Sequence, residues 1–187
     1  MSDIFDLKAQ ARALCRAARK QAHADPEAGE EALEHLQNIL DSLKGRTLAG
    51  YMPIHSEIDP RPAMAAFNGP VCVPVIEAPA RPLLFREWTS KSVMEAGEFG
   101  AQIPVAGEFV TPHVLIVPLL GFDARGYRLG YGGGFYDRTL EILRLRTPIT
   151  AIGFAYAAQE LEEVPIEDTD EPLDLIVTDR GVLFPGQ

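Results

Sequence analysis

Apolar residues recur at helical intervals near the start of the chain, at Ile4, Leu7, Ala11, Leu14, Cys15 and Ala18, with Ser2 or Asp3 placed to cap the turn before them. The spacing predicts a first helix with these residues inward and a basic opposite face. Lys8 and Arg12, four positions apart, share that face, and Arg16 and Arg19 continue roughly along it. Asp25-Pro26 opens a second helix, whose buried side is Leu33, Leu36, Ile39, Leu40 and Leu43 and which Lys44-Gly45 closes. Beyond it the pattern changes to short apolar runs. Strands are predicted at Thr47 to Tyr51, Val71 to Ile76, Leu83 to Trp88, Val114 to Leu120, Thr150 to Tyr156 and Leu173 to Thr178, with helices at Pro60 to Phe67 and Phe135 to Leu145. The turn from Glu77 to Pro82 makes a hairpin of the second and third strands. The runs at Val114, Ala151 and Leu173 are apolar on both faces, as a mostly parallel sheet covered on both sides requires. The expected fold is a three-layer α/β sandwich with a mostly parallel central sheet, residues 1–187 forming a single domain.

Composition narrows the classes of function. A net charge of −10 over 187 residues disfavours nonspecific nucleic-acid binding, which needs a broad basic face, so cations should be few and local. Cys15 and Cys72 have neither metal-binding nor disulfide-framework spacing and read as reduced thiols. His23 and His35 read as surface histidines. The first residues lack the basic and apolar regions of a signal peptide, and no apolar run approaches membrane-spanning length. A cytoplasmic monomer is the expectation, with no nucleic-acid or membrane partner.

Chemistry concentrates in Gly126-Tyr-Arg-Leu-Gly-Tyr-Gly-Gly-Gly-Phe-Tyr-Asp-Arg138, between the predicted strand at Val114 and the helix from Phe135. Gly130, Gly132, Gly133 and Gly134 allow positive φ and close approach of a ligand to the backbone, and the helix start offers free N–H groups to an anion. The loop is neither a Walker A motif, which ends in Gly-Lys-Ser/Thr, nor a dinucleotide fingerprint, which needs glycine where Phe135 stands. Arg128 supplies a planar cation at the entrance, and Asp137 a carboxylate suited to magnesium. The competing reading is a glycine-rich turn that only packs a helix on a sheet. By spacing alone, the basic stripe of the first helix either is a solvated face, the more common case, or meets an anion, and the isolated Glu57 reads as an exposed acid at a helix start.

The run Pro118-Leu-Leu-Gly-Phe-Asp-Ala-Arg-Gly-Tyr-Arg-Leu-Gly-Tyr-Gly-Gly-Gly-Phe-Tyr-Asp-Arg-Thr-Leu140 closely resembles the signature of the 5-formyltetrahydrofolate cyclo-ligases, also called methenyltetrahydrofolate synthetases. The resemblance implies that Lys8 and Arg12, which match an opening Lys-x-x-x-Arg pattern, contact ATP phosphates, whereas Arg16 and Arg19 fall outside it and stay as surface charges. It implies ATP contacts for Arg128, Leu129, Gly130, Gly132, Gly133 and Gly134, and for Tyr131, Phe135 and Tyr136, the last three open between contacting ligand and packing the helix. Catalytic charge neutralisation falls to Lys8 and Arg128. Tyr51-x-Pro-x-x-x-Glu57 resembles the segment whose glutamate binds the folate side, so Glu57, with Tyr131 and Tyr136, is expected at the substrate. Asp137 and Asp170 are implied as Mg2+ ligands, and Gln159 as an orienting residue. Two departures stand out. Gly97-Glu-Phe-Gly-Ala-Gln-Ile-Pro104 lacks the glutamate common in that segment, and Thr169 replaces a common histidine.

The implied reaction converts 5-formyltetrahydrofolate and ATP into 5,10-methenyltetrahydrofolate, ADP and phosphate through a phosphorylated formyl (imidate) intermediate. Two other readings of the loop remain: an α/β enzyme acting on sugar phosphates or acyl groups without ATP, and a non-catalytic folate- or nucleotide-binding module.

Overall fold

A computed structural model describes residues 3–186. Two helices lead, α1 (Ile4–Ala22) and α2 (Pro26–Asp41), followed by β1 (Leu48–Ala49), α3 (Arg61–Ala66), the antiparallel pair β2 (Val71–Val75) and β3 (Leu84–Glu87), and the hairpin β4 (Met94–Ala96) and β5 (Gln102–Pro104). The second half contains β6 (Val114–Val117), the hairpin β7 (Gly121–Phe122) and β8 (Arg128–Leu129), α4 (Phe135–Arg146), β9 (Thr150–Phe154), β10 (Leu175–Thr178) and β11 (Gly181–Leu183).

The central sheet runs β11-β10-β9-β6-β1-β2-β3, parallel from β10 to β2 and antiparallel only at its two edges. All four residues of β6 are buried because successive side chains enter different cores. Val114 and Ile116 pack with Leu36 and Leu40 of α2, whereas Leu115 and Val117 pack with Leu140 and Leu143 of α4. The three-layer prediction is met, with α2 and α3 on one face and α4 on the other. Trp88 packs into the α2-side core, and both cysteines are free and buried.

Chain order makes β1 the point where the sheet reverses direction. From β1 the chain passes through α3 to β2 on one side, then returns through β6 on the other side and continues outward to β9 and β10. The carboxyl ends of β1 and β6 therefore open a crevice into which their following loops project, the place where open α/β sheets hold ligands.

The caps of α1 and α2 are Asp3 and Asp25, each accepting from a backbone N–H two residues on. Ser2, the alternative cap, lies outside the described residues. The α2 helix ends at Asp41 rather than at Gly45, which instead takes a left-handed turn at φ 80°. His23 stays on the surface, but His35 is half-buried and its Nδ1 lies 2.8 Å from the Thr178 carbonyl.

The first helix overturns the expected orientation. Leu7 and Leu14 are exposed at 41% and 68%, while Lys8 and Arg19 of the basic face are buried; Cys15 is buried as expected. The α1 helix lies across the carboxyl ends of the sheet, against the β7–β8 hairpin and the turn at Ala157–Gln159, and not on a sheet face. Polar groups wait there for the cations, so the Lys8, Arg12, Cys15 and Arg19 stripe turns inward. Only Arg16 is the exposed surface charge expected of it. Among the described residues no helix is long and apolar enough to cross a membrane.

Candidate active site

A cavity of about 800 Å³ opens at the reversal point of the sheet. Its inner wall is apolar, including Tyr51, Met52, Pro74, Ile76 and Leu83, and its outer end is formed by the glycine loop and the charged groups of α1 and the 167–170 turn. Lys8, Arg12, Glu57, Asp137 and Asp170 line this one cavity, as does the whole run from Arg128 to Tyr136.

The loop forms because a buried carboxylate anchors the hairpin before it. Asp123 accepts from the backbone N–H groups of Arg125, Tyr127 and Val164 and from the Arg125 guanidinium. Past β8, Gly132 at φ 103° and Gly134 at φ 63° adopt backbone that residues with a Cβ rarely tolerate, and Gly134 is the N-cap of α4 with no side-chain cap. From Gly130 through Asp137 no backbone N–H finds an acceptor among the described residues; the next, on Arg138, donates to the Gly134 carbonyl. A row of free donors at a helix start, facing a cavity, is an anion cradle.

Two of the three cations beside it, Lys8 and Arg128, are paired with carboxylates. Lys8 Nζ donates to Asp170 Oδ2 at 2.6 Å and to Glu167 Oε2 at 2.7 Å. Burial opposes the ammonium charge, but those two bonds outweigh it and hold the pKa of Lys8 above its usual value. Arg12 Nε donates to the Gly130 carbonyl at 3.0 Å, and its guanidinium lies against Gly132. Arg128, at the start of the loop, is buried, with Nη1 donating to the Glu171 carbonyl at 2.9 Å and Nη2 to Asp137 Oδ1 at 2.9 Å.

The two carboxylates expected to hold magnesium keep one oxygen each outside this network. Asp137 accepts only through Oδ1, from Arg128 and the Glu171 N–H, and Asp170 only through Oδ2, from Lys8 and the Glu167 N–H. No trio of metal-binding side chains is assembled among the described residues. Two hard oxygens without a closed cage suit Mg2+, which keeps waters and takes phosphate oxygens alongside one or two carboxylates.

On the other side of the cavity Glu57 is 5% exposed. Its Oε2 accepts from the Ile54 N–H at 2.8 Å and its Oε1 from the Tyr131 hydroxyl at 2.9 Å. Burial raises its pKa, and the bonds from Ile54 and Tyr131 and the charge of Arg19 offset only part of that rise. Burial and the neighbouring Glu57 push the Tyr131 phenol up to about 12. The Tyr136 hydroxyl is buried with no hydrogen-bond partner, on a residue that lines the cavity.

Phe135 packs against the α4-side core, and its ring lies 6.1 Å from that of Phe99. Gln159 is buried; it donates to the Leu119 and Leu120 carbonyls and accepts from the Tyr156 N–H, an orienting contact beneath the site.

Sequence reasoning missed two contributors. Arg19, expected on the surface, is 3% exposed beside Tyr131 and Glu57. It lies on the same stripe as Lys8 and Arg12, and that spacing was the available signal. Phe99 lines the cavity from the tip of the β4–β5 hairpin, in the segment that departs from the family pattern.

Taken together, a doubly covered parallel sheet, an anion-binding glycine loop and a buried acid across one cavity define an α/β enzyme-like protein that brings a phosphorylated ligand beside a second, partly apolar one. The model of the 5-formyltetrahydrofolate cyclo-ligase family matches residues 6–179. The chain belongs to that family. It is 32% identical over 161 residues to a 5-formyltetrahydrofolate cyclo-ligase of Haemophilus influenzae, covering 81% of this chain and 86% of the relative. The corresponding protein of Escherichia coli K12 is 31% identical over 165 residues, covering 83% of this chain and 90% of that one. An Aquifex aeolicus 5,10-methenyltetrahydrofolate synthetase structure superposes with a TM-score of 0.79 at 28% identity, over 97% of this chain and 94% of that one.

Proposed function

We propose that this protein uses ATP to close 5-formyltetrahydrofolate into 5,10-methenyltetrahydrofolate, releasing ADP and phosphate. The observation that carries the reading is the row of unpaired N–H groups from Gly130 to Asp137, facing the same cavity as the buried Glu57. One end suits a triphosphate and the other a flat heterocycle with N–H donors.

A formyl oxygen is a poor leaving group, so it is first phosphorylated. It attacks the γ-phosphorus of ATP, and the electron pair of the broken P–O bond leaves with ADP. N10 then adds to the activated carbon and loses its proton, and the carbon–oxygen bond breaks with its pair departing on phosphate. The protein holds oxygen and phosphorus in line and keeps water away. In this reading the amides of Gly130 to Gly134 cradle the phosphates, with Leu129 and Phe135 packing beneath them, while Lys8, Arg12 and Arg128 neutralise their charge. Glu57 accepts from N–H groups of the pterin, and Tyr131 and Tyr136 lie at the junction of the two ligands. Asp137 and Asp170 would hold Mg2+, which when bound neutralises charge on the phosphoryl oxygens.

The pairing of cations with carboxylates fits this chemistry. Lys8 and Arg128 can exchange carboxylate for phosphate when the triphosphate binds, and Asp170 and Asp137, released from them, would hold Mg2+, so that no charge is left buried alone. Residues 1–187 act as one domain in this reading, as a cytoplasmic monomer whose partners are small molecules.

The test is the appearance of the methenyl chromophore in the near ultraviolet on mixing protein, 5-formyltetrahydrofolate, magnesium and ATP. Turnover strictly dependent on ATP is expected. Folate binding without turnover would favour a non-catalytic module, and turnover of sugar phosphates without ATP a different enzyme.

A further inference from the structure

Arg19 lies outside the Lys8 and Arg12 pair that the phosphate reading uses, yet its side chain is the most enclosed of the three. Nε donates to Ser56 Oγ at 3.1 Å and Nη1 to the Tyr131 hydroxyl at 2.7 Å, and Nη1 stands 3.8 Å from Glu57 Oε1. The Tyr131 hydroxyl, held by Arg19, in turn donates a hydrogen bond to Glu57 Oε1 at 2.9 Å. One guanidinium thus grips the residue preceding Glu57 in the loop after β1 and the aromatic residue of the glycine loop that reaches across to it. A buried, fork-shaped cation of this kind fixes geometry in a way that a flexible ammonium does not.

We infer that Arg19 is a positioning residue for the reaction: through Ser56 and Tyr131 it holds Glu57 oriented and ionised toward the pterin, and ties that acid to the phosphate loop. The inference rests on the proposed function, in which Glu57 recognises the folate. Several groups face Glu57. Arg19 approaches from α1, Tyr131 from the glycine loop, His55 and the Ile54 N–H from its own loop, Tyr51 from beyond β1 and Tyr136 from α4. Burial pushes the carboxyl toward its neutral form, and Arg19 contributes the nearest full positive charge that opposes this. Protonation turns one carboxyl oxygen into a donor and removes the charge that attracts N–H groups, so folate recognition should fail as pH falls through the pKa of Glu57. Removing the charge at position 19 should move that failure to higher pH.

The experiment measures KM for 5-formyltetrahydrofolate and for ATP, from mildly acidic to mildly alkaline pH, in the wild type, Arg19→Gln, Arg19→Lys and Tyr131→Phe. In Arg19→Gln the folate KM should rise about tenfold near neutrality and its acid limb should move up by about one pH unit, a tenfold change in proton affinity. The KM for ATP should stay within about twofold of the wild type on this scale. Arg19→Lys should restore the position of the acid limb, because it restores the charge, without fully restoring the folate KM. If Arg19→Gln does not fold, Tyr131→Phe decides: it deletes only the hydroxyl bridge and should shift the limb in the same direction by less. An acid limb that stays in place in these variants overturns the inference, as does a rise confined to the KM for ATP. Wild-type protein that fails to make the methenyl product sinks the proposed function and this inference together. Wild-type turnover with unmoved variant profiles sinks the inference alone.

Discussion

Lys8 Nζ lies 2.6 Å from Asp170 Oδ2, so a residue proposed to meet phosphate and one proposed to meet magnesium are bonded to each other across 162 positions of sequence. The contact joins the first helix to the turn before β10 and balances charge at the mouth of the cavity. Ligand binding then exchanges partners and does not expose a bare ion.

Lys8→Met should therefore lower kcat/KM for ATP by roughly a hundredfold or more, the usual scale for deleting a group that stabilises transferring phosphoryl charge. The KM for the folate should change far less. Steady-state kinetics with each substrate varied in turn checks this, and equal losses on both substrates would remove Lys8 from the phosphate side.

The Lys8 contacts also predict a pH dependence of stability. The folded-state pKa of Lys8 is raised above the ordinary lysine value of 10.5, so the stability it contributes is fully present below that pH and is lost as pH rises through the folded pKa. Thermal melts of the wild type and Lys8→Met should differ by a constant amount at neutral and mildly alkaline pH and converge in strong alkali. A difference that widens with pH would contradict the pairing.

Asp137→Asn retains most of the side chain's shape but loses the charge that faces Arg128. Magnesium-dependent use of ATP should fall by about a hundredfold, an ordinary penalty for a lost electrostatic contact at a transferring phosphate. Cys72→Ser, a change confined to the sheet interior, should leave the KM for ATP near the wild-type value. A magnesium titration at fixed ATP separates them, and similar effects of the two substitutions would discredit the site assignment.

Gly132→Ala places a Cβ on backbone at φ 103° and within 3.4 Å of the Arg12 guanidinium. The strain should cost about 1–2 kcal/mol in melting experiments, and the misaligned amides should weaken ATP binding by about tenfold or more. Calorimetric titration with ATP gives the second number. Unchanged affinity would mean that the loop backbone does not touch the phosphates.

Much of the architecture could be read from the chain because its signals are local. Val114-Leu-Ile-Val is apolar at every position, as a β-branched-rich strand buried on both faces requires, and Asp25-Pro26 is both cap and first turn of α2. The glycine loop was equally legible, since Gly132 and Gly134 occupy backbone that few other residues accept. The first helix was not. Its apolar spacing pointed Leu7 and Leu14 inward, whereas the stronger demand was to bring Lys8, Arg12 and Arg19 to acceptors contributed by distant segments.

By itself, then, the amino-acid sequence determined the main helices and the inner strands of the central sheet, where the glycine loop can turn through positive φ, and to which family the chain is similar, because each depends on residues adjacent along the chain; the short hairpins β4–β5 and β7–β8 and the edge strand β11 were not legible in it. Only the tertiary structure decided which charges meet: Lys8 with Asp170, Arg128 with Asp137, and Arg19 with Tyr131 beside Glu57. Such pairings bring together loops at the carboxyl edge of the sheet that are far apart in sequence. Their energies depend on distance and burial, quantities that exist only once the chain has folded.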